Sequence, residues 1–439
     1  MTPFAGRRVA VWGAARSGVA AANLLADLGA EVLLSDRKPE AQLTLEGLDA
    51  RVRFRGGGNH LDGAEVLVPS PGIPPHNADL VAAQMAGVEV VGEIALAASV
   101  ATAPIIAITG TDGKTTTTEM IGHLFRHAAR PVVVAGNIGD PLSNRIRDVG
   151  ADGVVVAEVS AFQLWSCPNF APRVAVVTNI AGDHADYFEG DTAAYIAAKA
   201  RVLRDMAPGT TAILRGDDPV VSRFGTPAGV HRVFFGPRPV AVGWGLQHQQ
   251  LCADGVPVMP AGAMPIPGDH NIANALAAMA AGAALGLSHA GMAEALRSFQ
   301  GLPHRLERVR VRAGVSWYDD SKATNPHAAA AGLRAIGRPK IVITGGYDKG
   351  LDLSPFVEAL EGVRHVILTG DTAARTAAVM GDRWATSHAD SMADAVAQAA
   401  ALAQWGDAVV LSPGASSFDA YRSYAHRGQV FQSAVAALP

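Results

Sequence analysis

Short apolar runs of four to six residues alternate with Ala/Leu-rich stretches along the whole chain, and this alternation confines the fold to the α/β class. A strand buried in a parallel sheet reads as an unbroken apolar run, because helices cover both faces of that sheet. The runs Val9–Trp12, Val32–Ser35, Val66–Val68 and Val88–Val91 form a first series. Ile105–Thr109, Val132–Ala135, Val154–Ala157, Val174–Thr178, Thr211–Leu214 and Val233–Phe235 form a second, which opens after Pro104. Val315–Tyr318, Lys340–Thr344, Val366–Thr369 and Ala408–Leu411 form a third. The Gly/Pro-rich patch from Gly236 to Pro267 reads as loops or short strands inserted in the second series. The three series divide the 439 residues into segments 1–93, 94–299 and 300–439, each of ordinary domain size.

Composition removes several function classes. With 49% hydrophobic and 17% charged residues the bulk of the chain is not disordered. A formal net charge of −4 gives no global drive toward nucleic acid or an anionic membrane. Neither is expected as a partner, and any phosphate site must be local. Cys167 and Cys252 form no CxxC pair and read as structural thiols of a reducing cytosol. The opening MTPFAGRRVAVWG passes into a strand pattern without the regions of a signal peptide, so a cytoplasmic location is expected. Ile272–Leu287 is uncharged but mostly Ala and Gly. A membrane span needs about 20 strongly apolar residues, so this stretch reads as a close-packed helix.

Motifs fall where apolar runs end. Thr109-Gly110-Thr111-Asp112-Gly113-Lys114-Thr115 follows a strand pattern and opens a helix through Thr115, Thr116 and Glu119. Backbone amides of such a turn can cradle phosphate, with Lys114 reaching the terminal phosphates and Thr115 holding Mg²⁺. The full GxxxxGK[ST] spacing fails at Ile108, which leaves a fortuitous glycine turn as the alternative. Gly13-Ala14-Ala15-Arg16-Ser17-Gly18 keeps two glycines of a dinucleotide fingerprint, with Asp36 closing the next strand. It admits an anion site, an NAD site or a packing turn, and Ser70-Pro71-Gly72 adds a loop at the same edge. Glu158 ends another run and could hold Mg²⁺ or simply be solvated. His184, in Gly182–Asp186, could contact metal or substrate or be satisfied locally. Lys199 in the otherwise uncharged Ala193–Ala200 reads as a snorkelling surface lysine. Asp319–Pro326, Gly345–Gly350 and Ser412–Ser417 form a second polar rim suited to a carboxylate ligand.

In order along the chain, Thr109–Thr115, Gly136–Gly139, Glu158–Leu164, Thr178–Asp186, Gly268–Asn274, His304–Glu307, Asp320–Asn325 and Leu411–Ser417 resemble the motifs of the Mur ligase family. The resemblance covers essentially the whole chain. It implies a UDP-sugar-binding Rossmann-like domain at 1–93, a central P-loop-type ATPase domain at 94–299, and a Rossmann-like domain at 300–439 that binds the incoming amino acid. The run Asp320–Asn325 resembles the members that use ATP to join D-glutamate to UDP-N-acetylmuramoyl-L-alanine through an acyl phosphate.

Carried over by that resemblance, Ser17, Asp36, Arg37, Ser70, Pro71 and Gly72 meet the UDP part, and Asn137, Ser160, Gln163 and His184 the muramoyl-alanine end. Gly110, Thr111, Asp112, Gly113, Lys114, Thr115, Thr116, Asn271, Arg305 and Asp320 bind ATP. Lys322, Thr324, Lys349, Ser417, Phe418 and Tyr424 shape the D-glutamate pocket. Thr115, Glu158, His184 and Lys199 serve two Mg²⁺ ions, Lys199 as a carbamate, which reverses its reading from spacing alone. Asp112 stands where the family commonly has Asn, and Ala161 where Ser is frequent. A cytoplasmic monomer is expected. The competing readings are a folylpolyglutamate synthase-like ligase, an NAD-dependent oxidoreductase built on Gly13–Gly18, and a nucleotide-binding module without catalysis.

Overall fold

The computed structural model describes residues 4–181, 188, 190–238 and 242–439. Two compact units emerge: residues 1–263 with 272–298, and residues 264–271 with 299–439. The first unit holds two sheets. One contains β1 (Arg8–Trp12), β2 (Glu31–Asp36), β3 (Arg53–Gly56), β4 (Val66–Pro69) and β5 (Glu89–Val90), all parallel, in the order β3-β2-β1-β4-β5. β3 is absent from the sequence reading because its RFRG alternates charged and half-buried positions at the sheet edge, where only one face needs covering.

The second sheet takes β6 (Ile105–Thr109), β7 (Val132–Gly136), β8 (Val154–Glu158), β9 (Val174–Val177), β10 (Thr211–Arg215) and β11 (His231–Gly236) as a parallel core. The Gly/Pro-rich patch adds β12 (Trp244–Gln247), β13 (Gln250–Ala253) and β14 (Val256–Pro260) at one edge. Pro257 and Pro260 are tolerated there because an outermost strand has one side free of ladder bonds. Both sheets share apolar packing: Val9, Val11 and Leu34 lie in the same buried cluster as Ile105, Ala107, Val155 and Val177. The uncharged stretch forms the helix Asp269–Ala284, with Leu276, Ala277 and Ala278 fully buried. Among the described residues no helix is long and apolar enough to cross a membrane.

The second unit is built on β15 (Glu307–Arg312), β16 (Val315–Asp319), β17 (Lys340–Gly345), β18 (Val363–Thr369), β19 (Thr386–His388) and β20 (Ala408–Leu411), ordered β15-β16-β20-β17-β18-β19. Only β15 runs antiparallel to its neighbour. Alternate residues of one strand feed opposite cores, as the two-residue period of a strand requires. Val342 and Val410 pack with Phe356 and Leu333 on one face, while Ile341, Ile343 and Val409 pack with Trp317 and Phe431 on the other.

The turn after β1 depends on its two outer glycines. Gly13 adopts φ +98°, and a Cβ on Gly18 would run into the Gly13 carbonyl. Ala15 is exposed and extended, so its methyl strains nothing. Gly18→Ala should therefore cost about 1–3 kcal/mol of overpacking, whereas Gly225→Ala, with nothing within 4 Å of the new methyl, should be neutral. Equal urea midpoints for both variants would contradict this packing.

Candidate active site

Two glycines and a brace shape the phosphate loop. After β6 the chain passes through Gly110 at φ +143° and Gly113 at φ +79°, which side chains rarely adopt. A Cβ on Gly110 would strike Thr178 Oγ1, and one on Gly113 would strike Asn274 Oδ1. The end of β9 supplies the brace. Thr111 N–H donates to Asn179 O (2.9 Å), and Asp112 N–H to Asn179 Oδ1 (2.9 Å). Thr178 Oγ1 and Asn179 Nδ2 donate to Asp112 O (2.6 and 2.9 Å). Asp112 thus works through its backbone, and the residue itself is exposed. The helix Lys114–His127, which carries Thr115 and Thr116 in its first turn, has no acidic residue there. Its positive end is left for an anion. Lys114 Nζ folds over the loop, donating to Gly110 O (3.0 Å) and Thr111 O (2.8 Å).

β8 lies beside β6 in the register Ile108↔Glu158, which sets Glu158 next to the start of this loop. The carboxylate is 2% exposed. Oε1 accepts from Asn137 Nδ2 (2.9 Å), while Oε2 is buried without a partner among the described residues. An unpaired buried anionic oxygen is costly, and a cation is the group that would satisfy it. Ser160 and Gln163 form a capping box, with Gln163 Oε1 accepting from Ser160 N–H (2.9 Å). His184 lies outside the described residues.

The surface reading of Lys199 is corrected. The residue is 2% exposed, its Nζ donates to Gly110 O (2.5 Å) and sits 4.6 Å from the Tyr195 ring centre. Small neighbours let the helix Thr192–Arg204 pack closely, with Ala198 buried, so the lysine stem runs inward to a loop carbonyl instead of outward to water. The hydroxyls of Tyr195 and Thr111 are 3.0 Å apart. Tyr195 is a site residue that the sequence reading missed, and Asn274, which closes the Gly268–Asn274 motif, was given no role there. Four-residue spacing from Lys199 on one helix face was the available signal for Tyr195.

At the first sheet a cavity of about 680 Å³ is lined by Ala14, Arg16, Asp36, Lys38, Thr44 and Asn144, among others. Asp36 lines it, while Ser17, Arg37, Ser70, Pro71 and Gly72 do not. Asp36 accepts from the amides of Ala14 (2.8 Å) and Lys38 (2.9 Å), so its carboxylate fixes the turn. Arg37 instead reaches Asp79 (3.2 Å) at an exposed position. Arg16 donates to Gly139 O (2.6 Å), joining the turn after β1 to the turn after β7.

In the second unit one buried guanidinium gathers the three polar loops. Arg427, 2% exposed, donates through Nε to Ser321 Oγ (3.0 Å). Its remaining N–H groups donate to Gly345 O (3.4 Å), Ser416 O (3.2 Å), Ser321 O (2.9 Å) and Ala415 O (3.1 Å). Burial pulls its pKa down to about 10, which still leaves a cation at neutral pH. The sequence reading missed Arg427. Its signal was an arginine on the stripe it shares with Phe431 and Val435 of the helix Tyr424–Ala436.

Lys322 Nζ stands 5.6 Å from the Tyr424 ring centre. Thr324, Lys349 and Ser416 line one small cavity, with Ser417 buried nearby in sequence and Phe418 69% exposed. Arg305 sits in a strained turn between His304 (φ +63°) and Leu306 (φ +47°). His304 Nδ1 lies 2.7 Å from Asp319 Oδ2, and Leu306 N–H donates to Asp320 Oδ1 (3.1 Å). Asn271, bonded to Pro267 O (2.7 Å), belongs to this second unit with Arg305 and Asp320.

Residues 108–282 match the model of the Mur ligase middle domain, and residues 304–415 that of the Mur ligase glutamate ligase domain. The chain is 38% identical over 464 residues to a UDP-N-acetylmuramoylalanine–D-glutamate ligase of Salinibacter ruber, covering 100% of both chains. It is 40% identical to the same-named ligase of Thiobacillus denitrificans, covering 99% of this chain and 97% of that one. In fold it resembles a UDP-N-acetylmuramate-alanine ligase of Thermotoga maritima, with a TM-score of 0.61 at 19% identity over 97% of this chain and 98% of that one.

Burial pushes the Asp320 carboxyl up to about 7, with Asp319 adding to the push and Arg305, the Leu306 N–H and Ser412 opposing it. Between its ordinary value of 3.8 and about 7 the folded carboxyl keeps a proton that the unfolded chain has released. Its contribution to stability therefore falls as pH rises through that window. Asp320→Asn removes the effect, so the Tm of the variant should gain on the parent from about pH 5 to 7 and stay level above about pH 8. A Tm difference independent of pH would contradict the buried, proton-holding carboxyl.

Proposed function

The chain belongs to the Mur ligase family, and from that premise we propose that it joins D-glutamate to UDP-N-acetylmuramoyl-L-alanine at the expense of ATP. The product is a building block of peptidoglycan, and ADP and phosphate are released. The reading rests on a buried carboxylate with an unpaired oxygen beside a phosphate loop, together with a polar rim that carries Lys322 and Lys349. A carboxylate is a poor electrophile, so ATP first phosphorylates the alanyl carboxylate. The amine of D-glutamate then attacks the acyl phosphate, and phosphate leaves the tetrahedral intermediate.

Bringing a carboxylate to a triphosphate sets anion against anion, and the chain opposes this with placed charge. The loop amides and Lys114 hold the phosphates, and Arg305 meets the transferred group. Asn271 and Asp320 receive the adenosine. Glu158, with its unpaired Oε2, is suited to Mg²⁺, and Thr115, His184 and Lys199 would help to hold two such ions. When bound, Mg²⁺ neutralises phosphate charge and polarises the phosphoryl group. Segments 1–93, 94–299 and 300–439 serve the UDP-sugar, ATP and D-glutamate respectively. Asp36 positions its turn for the UDP part, and Arg37 reaches that part on leaving Asp79. ATP and a UDP-linked substrate place the reaction in the cytoplasm, where the chain acts as a monomer.

Lys199 works as a carbamate. The ammonium first gives up a proton to solvent, and the neutral amine then attacks CO₂, forming an N–C bond and releasing a second proton, so an ammonium is replaced by an anion. An ammonium about 4 Å from a divalent ion would be repelled by roughly 8 kcal/mol at an effective dielectric near 20, and the carbamate turns that repulsion into attraction.

The direct test is ADP release with UDP-N-acetylmuramoyl-L-alanine and a panel of amino acids. Turnover is expected with D-glutamate, and turnover only with another amino acid would overturn the substrate assignment. Loss of one charge-assisted contact in Lys349→Ala should raise the KM for D-glutamate about tenfold or more, with little change in the KM for ATP. An equal rise for both substrates would contradict a role at the amino acid. Lys199→Ala should lose nearly all activity while folded, and acetate should restore part of it. ¹³C NMR of the Mg²⁺–ATP complex equilibrated with labelled bicarbonate should reveal a carbamate, and a bare ammonium there would refute the modification.

A further inference from the structure

We infer that Arg375 is a positioning residue for D-glutamate: it seizes the carboxylate of Asp348 and so keeps the neighbouring Lys349 ammonium aimed and uncompensated. The inference rests on the reading of Lys349 as a D-glutamate ligand. Arg375 donates through Nε to Asp348 Oδ2 (2.8 Å) and through a terminal nitrogen to Asp348 Oδ1 (2.7 Å). Its other terminal nitrogen donates to Leu351 O (2.9 Å). This two-point fork holds the plane of the carboxylate as well as its distance. Asp348 Oδ1 also accepts from Gly350 N–H (2.8 Å). Lys349 is therefore bracketed, with the residues on both sides fixed.

The rest of the loop is held equally firmly. Gly346 N–H donates to Thr372 Oγ1 (3.2 Å), and Thr372 N–H donates back to Gly346 O (3.0 Å). Tyr347 N–H donates to Ser416 O (2.9 Å). Thr372 and Arg375 thus tie down both ends of the loop from the segment that follows β18. Arg375 also lines the same small cavity as Thr324, Lys349 and Ser416. Lys349 itself is exposed within the fixed loop.

The electrostatic consequence is sharper than the geometric one. Asp348 is adjacent to Lys349 in the chain, and a free carboxylate there would both pair with the ammonium and repel an incoming dianion. The Gly350 N–H and the Arg375 guanidinium hold the Asp348 carboxyl below the usual carboxylate range, so it remains charged and needs a cation. With Arg375 in place, Asp348 is satisfied and the charge on Lys349 is left for a carboxylate of the substrate. Removing Arg375 turns Asp348 into a competitor for Lys349. Removing the Asp348 charge as well should undo much of that harm.

The test is a steady-state cycle on the full-length enzyme. Arg375→Ala should raise the KM for D-glutamate about tenfold or more, with the KM values for ATP and the UDP-sugar within about twofold of the parent. Arg375→Lys should recover part of the loss, because one charged donor still reaches Asp348. Adding Asp348→Asn to Arg375→Ala should lower the raised KM by about threefold or more, a rescue that a merely structural role would not give. Thermal unfolding of each variant establishes that it is folded, and Arg375→Lys carries the test if Arg375→Ala is not. No rescue by Asp348→Asn, or equal losses for all three substrates, would overturn the proposal. If Lys349→Ala leaves the KM for D-glutamate unchanged, the reading of Lys349 fails. If Lys349→Ala raises it while Arg375→Ala does not, the positioning role alone fails.

Discussion

Parallel strands deliver their carboxyl ends to one edge of a sheet, and that constraint places the phosphate loop and the polar loops of both units. The phosphate loop leaves β6, Asn137 follows β7, Glu158 closes β8, and Thr178 and Asn179 follow β9. In the first sheet the same edge carries the turn after β1, Asp36 at the end of β2, and Ser70 after β4. In the second unit it carries Asp319–Thr324, the loop after Gly345, and Ser412–Ser417, from the adjacent strands β16, β20 and β17. Residues far apart in sequence become neighbours because their strands are neighbours, with no long structureless loop needed to gather them.

The two units steady their loops in different ways, and the difference suits their ligands. The phosphate loop is braced by neutral groups of Thr178 and Asn179, so its helix end and Lys114 keep their positive character for phosphate. The polar rim of the second unit is held by Arg427, a buried cation that donates to four carbonyls and one hydroxyl. Such a cation contributes a fixed positive field that a neutral brace would not supply, and that field suits the dicarboxylate proposed to bind there. Arg375 adds the complementary device by absorbing the one negative charge adjacent to Lys349.

Most of the parallel core was legible, because a strand covered on both faces must be apolar throughout. Ile105–Thr109 and Ala408–Leu411 appear as expected, whereas β3 and β15, half-exposed edge strands, do not advertise themselves in that way. The phosphate loop was legible for a local reason, since its glycines, lysine and threonine are contiguous. Lys199 was not: one lysine in an alanine-rich helix looks the same whether water or a loop carbonyl awaits it, and only tertiary packing decides. The resemblance to a family supplied its role, and the structure supplied its burial. Arg427 and Asp348–Arg375 lie further from legibility, because their partners come from separate βα units whose adjacency follows from strand order. Met264–Asn271 likewise joins the second unit although it precedes residue 300 in sequence.

In the proposed reaction, activation of the carboxylate by phosphoryl transfer precedes attack by the amine. Its most direct measurement follows an oxygen atom. The substrate would be UDP-N-acetylmuramoyl-L-alanine with ¹⁸O in its alanyl carboxylate, turned over with ATP and D-glutamate. Passage through an acyl phosphate sends one labelled oxygen into the released phosphate. Recovery of one ¹⁸O per phosphate is the predicted result, and phosphate carrying no label while the peptide bond forms would contradict it.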